Sequence, residues 1–158
     1  MGMYCEVIAV PQEQLQQWGT ARAWETPAER AGCSVNLEKS WHGLHYLLCG
    51  SALKEEGPLA FLLAENETIP ESDTGYGPVR VLAPDRVRQV HAALDPLTDE
   101  ALWSRFDAEA MNEEAVYPQI WDESESDLKE EYLFYFRELK ALVAKAAAQG
   151  DSLAIVIA

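Results

Sequence analysis

The sequence predicts an α/β fold in three layers: a small mixed central sheet flanked by helices, with helix content exceeding strand. Three observations predict it. Leu128, Tyr132, Phe136, Leu139, Val143 and Ala146 recur at steps of three and four, opposite Lys129, Glu130, Arg137, Glu138, Lys140 and Lys145. That is a long helix with one buried face. Leu153-Ala154-Ile155-Val156-Ile157 is unbroken apolar sequence, suited to a strand covered on both sides and placed in the middle of the sheet. Between the two ends of the chain, strand-like and helix-like segments mix with no internal repeat and no low-complexity linker. At 158 residues the chain fits one domain, 1–158.

In order, Tyr4–Val10 reads as the first strand, stopped by Pro11. Pro11 also opens a short helix, since its missing N–H is not needed there. Leu15 and Trp18 face inward on that helix, and Gly19 ends it. Thr26-Pro27-Ala28-Glu29 is a capping-box pattern for a second short helix closed by Gly32. Asn36 caps a firmer helix, Leu37–Cys49, whose stripe is Leu37, Trp41, Leu44 and Leu48 and whose end is Gly50. Leu59–Ala64 fits helix and strand equally, and Glu65–Gly77 is an acidic loop. Pro78–Leu82 alternates as a strand, and Val87, Val90 and Leu94 share one face of the next helix. Thr98 caps another, ahead of Leu102 and Phe106. Tyr117–Trp121 anchors a loop. Ser124 or Ser126 then accepts from the first-turn amides of the long helix, and Gly150 ends it.

Composition narrows the function classes. Cys5, Cys33 and Cys49 are odd in number and form no C-x-x-C pair, which points to a reducing compartment. No stretch reaches the roughly 20 apolar residues of a membrane span. The opening residues lack a signal peptide's charged and apolar regions. Gly2 begins a myristoylation pattern that Glu6 breaks. The expectation is a cytoplasmic protein. Net charge is −15, and Phe106–Glu131 alone holds ten acids against Lys129. Such a field repels nucleic acid and anionic membranes and attracts a basic protein. Its structural reading is a solvated face.

The chemical motifs are sparse. His42 and His45 at i, i+3, and His45 and Cys49 at i, i+4, are pairs with helical spacing for zinc. The sequence points to no further ligand, Cys33 and His91 being the only other soft candidates, so a packed His45 is expected and neither a metal nor a cofactor is. Cys49 with His45 as base has the spacing of a nucleophile pair, yet a helix C-terminus disfavours a thiolate. Adjacent carboxylates such as Glu113 and Glu114 point different ways on a helix and form no dyad by spacing. Walker A, G-x-G-x-x-G, G-x-S-x-G and H-E-x-x-H are absent, so no catalytic residue is assigned.

Several fragments in order resemble the YfbM-like family, bacterial proteins of unknown function. They are Met1-Gly2-Met3; Trp41-x-x-Leu44-His45-x-Leu47-Leu48-x-Gly50; Tyr76–Leu82; Asp107 and Met111; and Tyr117-Pro118-x-x-Trp121. Cys49 departs from the family's Thr before the glycine, and Pro70–Thr74 is poorer in glycine than the family's loop. The resemblance implies the three-layer α/β fold and no particular chemistry. It concentrates on Trp41, His45, Tyr76, Tyr117 and Trp121. These form a candidate ligand-binding cluster for a small-ligand protein or enzyme, against a purely structural role in fixing loops to the core. The other expectation is a protein-binding module, in the manner of an immunity protein, that docks a basic partner on Asp122, Glu123, Glu125 and Asp127.

Overall fold

A computed structural model describes residues 2–21 and 33–158. Its sheet has five strands in the order β2-β1-β5-β4-β3: β1 (Cys5–Val10), β2 (Ser34–Asn36), β3 (Glu67–Thr68), β4 (Arg80–Leu82) and β5 (Ser152–Ile157). The C-terminal strand is therefore central, as its apolar run predicts. It pairs with β1 from Cys5↔Ile157 to Val10↔Ser152, and with β4 on its other side. The sheet is central and flanked by helices as expected, but it is not mixed in strand direction: every pairing among the described residues is antiparallel.

The register puts Val7 opposite Ile155 on one face and Ile8 opposite Ala154 on the other. The first face, with Cys5, Ala9, Leu82 and Leu153, belongs to the main core. The second, with Ile8, Val10, Val81, Ala154 and Val156, forms a smaller core with Ile69, Val79 and Leu15. Leu15 lies on α1 (Gln12–Ala21), so the sheet has apolar packing on both sides. Each fully buried Leu, Ile or Phe side chain contributes about 1.5–3 kcal/mol relative to exposure.

The main face carries α2 (Trp41–Cys49), α3 (Pro84–Leu94), α4 (Asp99–Trp103), α5 (Ala108–Glu113) and α6 (Glu125–Gln149). On α6 the predicted stripe is buried, from Leu128 to Ala146, and Gly150 ends the helix with φ 71°. Before α2, Asn36 does not cap the helix as expected: its Oδ1 accepts from the Glu38 amide at 2.8 Å, but Leu37 and Ser40 hold the N-cap positions of the 3₁₀ turn and of α2, neither with a side-chain capping bond, and α2 begins at Trp41 rather than Leu37. The first turn is a 3₁₀ turn, Glu38–Ser40, and Gly50 closes α2 at φ 73°. Thr98 Oγ1 accepts from the Ala101 amide, the predicted cap of α4.

Four other local expectations change. Ser124 holds the N-cap position of α6 but makes no capping bond; its hydroxyl meets that of Ser126 at 3.0 Å instead. Leu59–Ala64 resolves as a 3₁₀ turn, Pro58–Ala60, followed by turns. The acidic loop contains the two-residue strand β3, and β4 begins at Arg80 rather than Pro78. Helix α1 runs through Gly19 to Ala21. The Trp18 side chain and the Thr26–Gly32 capping box lie outside the described residues. Among the described residues no helix is long and apolar enough to cross a membrane.

Candidate functional site

Helix α2 and the loop before α6 bring most of the aromatic candidates together. Trp41 opens α2, stacks on His42 at 5.2 Å between ring centroids, and lies 6.1 Å from the Tyr117 ring. Their polar tips hold the chain's own start: the Met3 amide donates to the Tyr117 hydroxyl at 3.0 Å, and Trp41 Nε1 donates to the Met3 carbonyl at 3.1 Å.

His42, which the cluster reading left out, is the bridge. The Tyr117 amide donates to its Nδ1 at 2.9 Å, so Nδ1 carries no proton. Nε2 is then the donor, to the Ala52 carbonyl at 2.9 Å. One imidazole thus ties the Tyr117 loop to the turn after α2. That turn is also held by Glu114, whose Oε2 accepts from the Ala52 amide at 2.8 Å.

The loop has two left-handed residues, Ala115 at φ 53° and Gln119 at φ 65°. Such conformations cost non-glycine residues about 1–3 kcal/mol each and persist where the surroundings fix them. Trp121 does much of the fixing. Its Nε1 donates to the Val116 carbonyl at 2.8 Å, and its buried ring lies 5.5 Å from that of Tyr132. Both rings press on Gly43: a Cβ there would come within 2.4 Å of Trp121 Cη2 and 2.7 Å of Tyr132 Cε1.

His45, one turn along α2 from His42, is fully buried. Its pKa is pushed down to about 4, first by burial and then by His42, with the Lys54 backbone acting the other way. The ring is neutral at pH 7, and its Nε2 has no well-formed hydrogen bond among the described residues. Nδ1 is 3.9 Å from Cys49 Sγ, while the thiol donates to the Leu59 carbonyl at 3.3 Å. Burial pushes the Cys49 thiol up to about 11, despite Lys54 and Arg105. A protonated thiol beside a neutral imidazole is not an activated nucleophile. Among the described residues no three His, Cys, Asp or Glu side chains are grouped to hold a metal ion.

Tyr76 is half exposed in the loop before β4, where its amide meets Thr74 Oγ1. No hydrogen bond or ring contact among the described residues ties it to Trp41, His45, Tyr117 or Trp121. The structure brings Trp41 and Tyr117 together directly, reaches His45 only through His42, sets Trp121 against Gly43 of the same helix, and leaves Tyr76 apart.

The acidic candidates divide in two. Asp122 accepts from Asn112 Nδ2 at 3.1 Å, and Glu125 accepts from Trp103 Nε1 at 3.4 Å. Glu123 and Asp127 are exposed. Asp127 borders an open groove of about 480 Å³ along α6, with Glu130, Glu131, Phe134, Tyr135 and Arg137. Phe134 is 56% exposed and meets the Tyr135 ring edge-on at 5.3 Å. Sequence reasoning missed Phe134, although its position was the signal: it falls midway between Tyr132 and Phe136, off the buried stripe.

A second concavity, of about 210 Å³, lies beyond the C-terminus of α2 and includes Cys49, Lys54 and Arg105. Its lining comes from four separate chain segments, so no motif could announce it.

The sheet order and the α2–loop cluster together define an α/β protein built around a central C-terminal strand. A domain-of-unknown-function model, DUF1877, matches residues 1–156, and the chain belongs to that family. The structure is similar to the crystal structure of YfbM from Escherichia coli, a protein of unknown function. The TM-score is 0.72 at 18% identity, covering 98% of this chain and 99% of that one. At that identity the likeness is one of fold. No curated protein matches the chain.

Proposed function

We propose that the chain is a protein-binding module whose docking surface is the outer face of the first half of α6. Asp127, Glu130 and Glu131 supply the field, and Phe134 supplies the anchor. The observation that carries this reading is Phe134, a large apolar ring left 56% exposed in a groove bordered by carboxylates. Aromatic residues within a charged rim are the usual centre of binding energy at an interface, and the charges set on-rate and partner choice. The partner is a basic protein with an apolar contact for the ring. A basic toxin or nuclease, met in the manner of an immunity protein, fits that description. The acidic surface extends toward Glu123 and the end of the Tyr117 loop.

The test is capture from the source cell at low salt, with purified wild-type protein and two variants, Phe134→Ala and Asp127→Lys/Glu130→Lys. Asp122 and Glu125 are left intact because each has a local hydrogen-bond role. The expected result is a basic protein that elutes steeply with salt and is lost from both variants, each showing unchanged circular dichroism. Capture that is indifferent to both substitutions overturns the proposal.

A further inference from the structure

We infer that the hollow beyond the C-terminus of α2 is a binding site for a small monocarboxylate with a short apolar body. It shares no lining residue with the α6 groove and stands independently of the docking reading. Leu48 and Cys49 from α2 line it together with Leu59. Lys54, Glu56 and Arg105 are exposed side chains at its edge.

The charge balance selects the ligand. In a chain of net charge −15, two of the twelve Lys and Arg side chains border this one hollow, against a single carboxylate. The Arg105 guanidinium is pinned: Nη1 donates to the Leu48 carbonyl and, at 3.3 Å, to the Leu47 carbonyl. A guanidinium has five N–H donors, and no other hydrogen bond of the Arg105 guanidinium occurs among the described residues. Lys54 makes no ion pair or side-chain hydrogen bond among them. Arg105 Nη1 sits on the carbonyl end of α2, which would otherwise repel an anion, and with Lys54 beside it the balance suits a monoanion. Glu56 at the same edge works against a dianion such as phosphate. The partly exposed Leu59 side chain offers the apolar contact that a bare inorganic ion would waste.

Size and chemistry set the remaining limits. About 210 Å³ is the liquid-volume share of roughly seven waters, below the range of drug-sized pockets. The Cys49 thiol is engaged with the Leu59 carbonyl, so the ligand is held without a covalent bond. Because both cations are exposed, binding is weak and fast-exchanging, which suits observation by nuclear magnetic resonance.

The experiment titrates ¹⁵N-labelled full-length protein with butyrate at constant ionic strength, with butylamine and inorganic phosphate as parallel probes. Saturable amide shifts from butyrate at Cys49, Lys54, Gly57, Leu59 and Ala60 are expected, and neither other probe should match them. Lys54→Met keeps the aliphatic stem and should weaken butyrate by about threefold or more, the upper part of the range for an exposed ion pair. Ala93→Leu, from the α3 side of the hollow, should fill it and abolish the shifts. Unchanged spectra elsewhere show that both variants fold. Absence of saturable shifts at these amides overturns the inference. So does equal response to butylamine, tighter binding of phosphate, or butyrate shifts that survive Ala93→Leu.

Discussion

At the junction of α2 with the Tyr117 loop, the indole nitrogens of Trp41 and Trp121 and the Tyr117 hydroxyl all have backbone partners. On the outer face of α6, Phe134 has the edge of Tyr135 and, around it, carboxylates. Both regions are aromatic. The first turns its rings inward to satisfy chain segments that could not otherwise be packed, among them the left-handed loop residues and Met3. The second leaves its ring 56% exposed, with the edge of Tyr135 as its aromatic contact. An amphipathic side chain is uninformative by type; whether its apolar body and polar tip are already engaged separates scaffold from surface.

The comparison breaks most sharply at Trp121. Trp121→Ala should destabilise the protein by about 3–5 kcal/mol in denaturant unfolding, because a fully buried ring is removed from against Tyr132 and Gly43. Gly43→Ala gives the companion test. Alanine favours a helix interior by about 1 kcal/mol over glycine. The Cβ would overlap two buried rings, and overpacking of that kind costs about 1–3 kcal/mol. The clash should win in the wild-type background and lose much of its cost once Trp121 is alanine, a coupling that a double-mutant cycle reads directly. If Gly43→Ala is stabilising in the wild type, the inward packing described for α2 is wrong.

His45 supplies the next effect, through pH. Its folded pKa of about 4 lies below the ordinary 6.5. Above pH 6.5 both folded and unfolded rings are neutral, and the group leaves stability unchanged with pH. As pH falls below 6.5 the unfolded chain takes up a proton that the folded chain refuses. Stability drops until the folded ring itself protonates near pH 4. The loss is on the order of 3 kcal/mol. His45→Leu should flatten this part of the stability–pH curve between pH 6.5 and 4. An unchanged slope would mean that the ring is solvated or paired.

Smaller effects follow from the bridging bonds. His42→Ala leaves the Tyr117 amide and the Ala52 carbonyl without their partner and should cost about 1–3 kcal/mol. Tyr117→Phe keeps the ring and removes only the acceptor for the Met3 amide, for about 1 kcal/mol. Amide exchange should then quicken at Met3 in Tyr117→Phe, and at Tyr117 in His42→Ala. Exchange that stays slow at both sites would place the loop's stability elsewhere.

How much of this is legible in the residues depends on the range of the interaction. The unbroken Leu153–Ile157 run told of burial on both faces, and its central place in the sheet follows from that. Thr98, Gly50 and Gly150 act within four residues of themselves and are readable as caps. Ser124 shows the limit, because its hydroxyl had a second partner two residues away. His42 was invisible as a bridge: its two partners are 75 residues ahead and 10 residues ahead, and only the fold brings them to one ring. The Lys54–Arg105 hollow was hidden for the same reason. Its opposing charges and walls have no common spacing, so no periodicity marks them.

The weakest perturbation to stability is the most telling one for the outer face of α6. Phe134 is 56% exposed, and its removal opens no interior cavity. Phe134→Ala should therefore change unfolding free energy by no more than about 0.5 kcal/mol, the range for surface substitutions away from special features. An aromatic anchor at the centre of an interface typically costs about 2 kcal/mol or more in binding when truncated to alanine. A residue that is nearly silent in folding and decisive in association has its reason for being outside its own chain. Equal stability with equal partner affinity would reduce Phe134 to one of the scattered surface apolar residues that need no explanation. A stability loss comparable to that of Trp121→Ala would instead return α6's outer face to the scaffold.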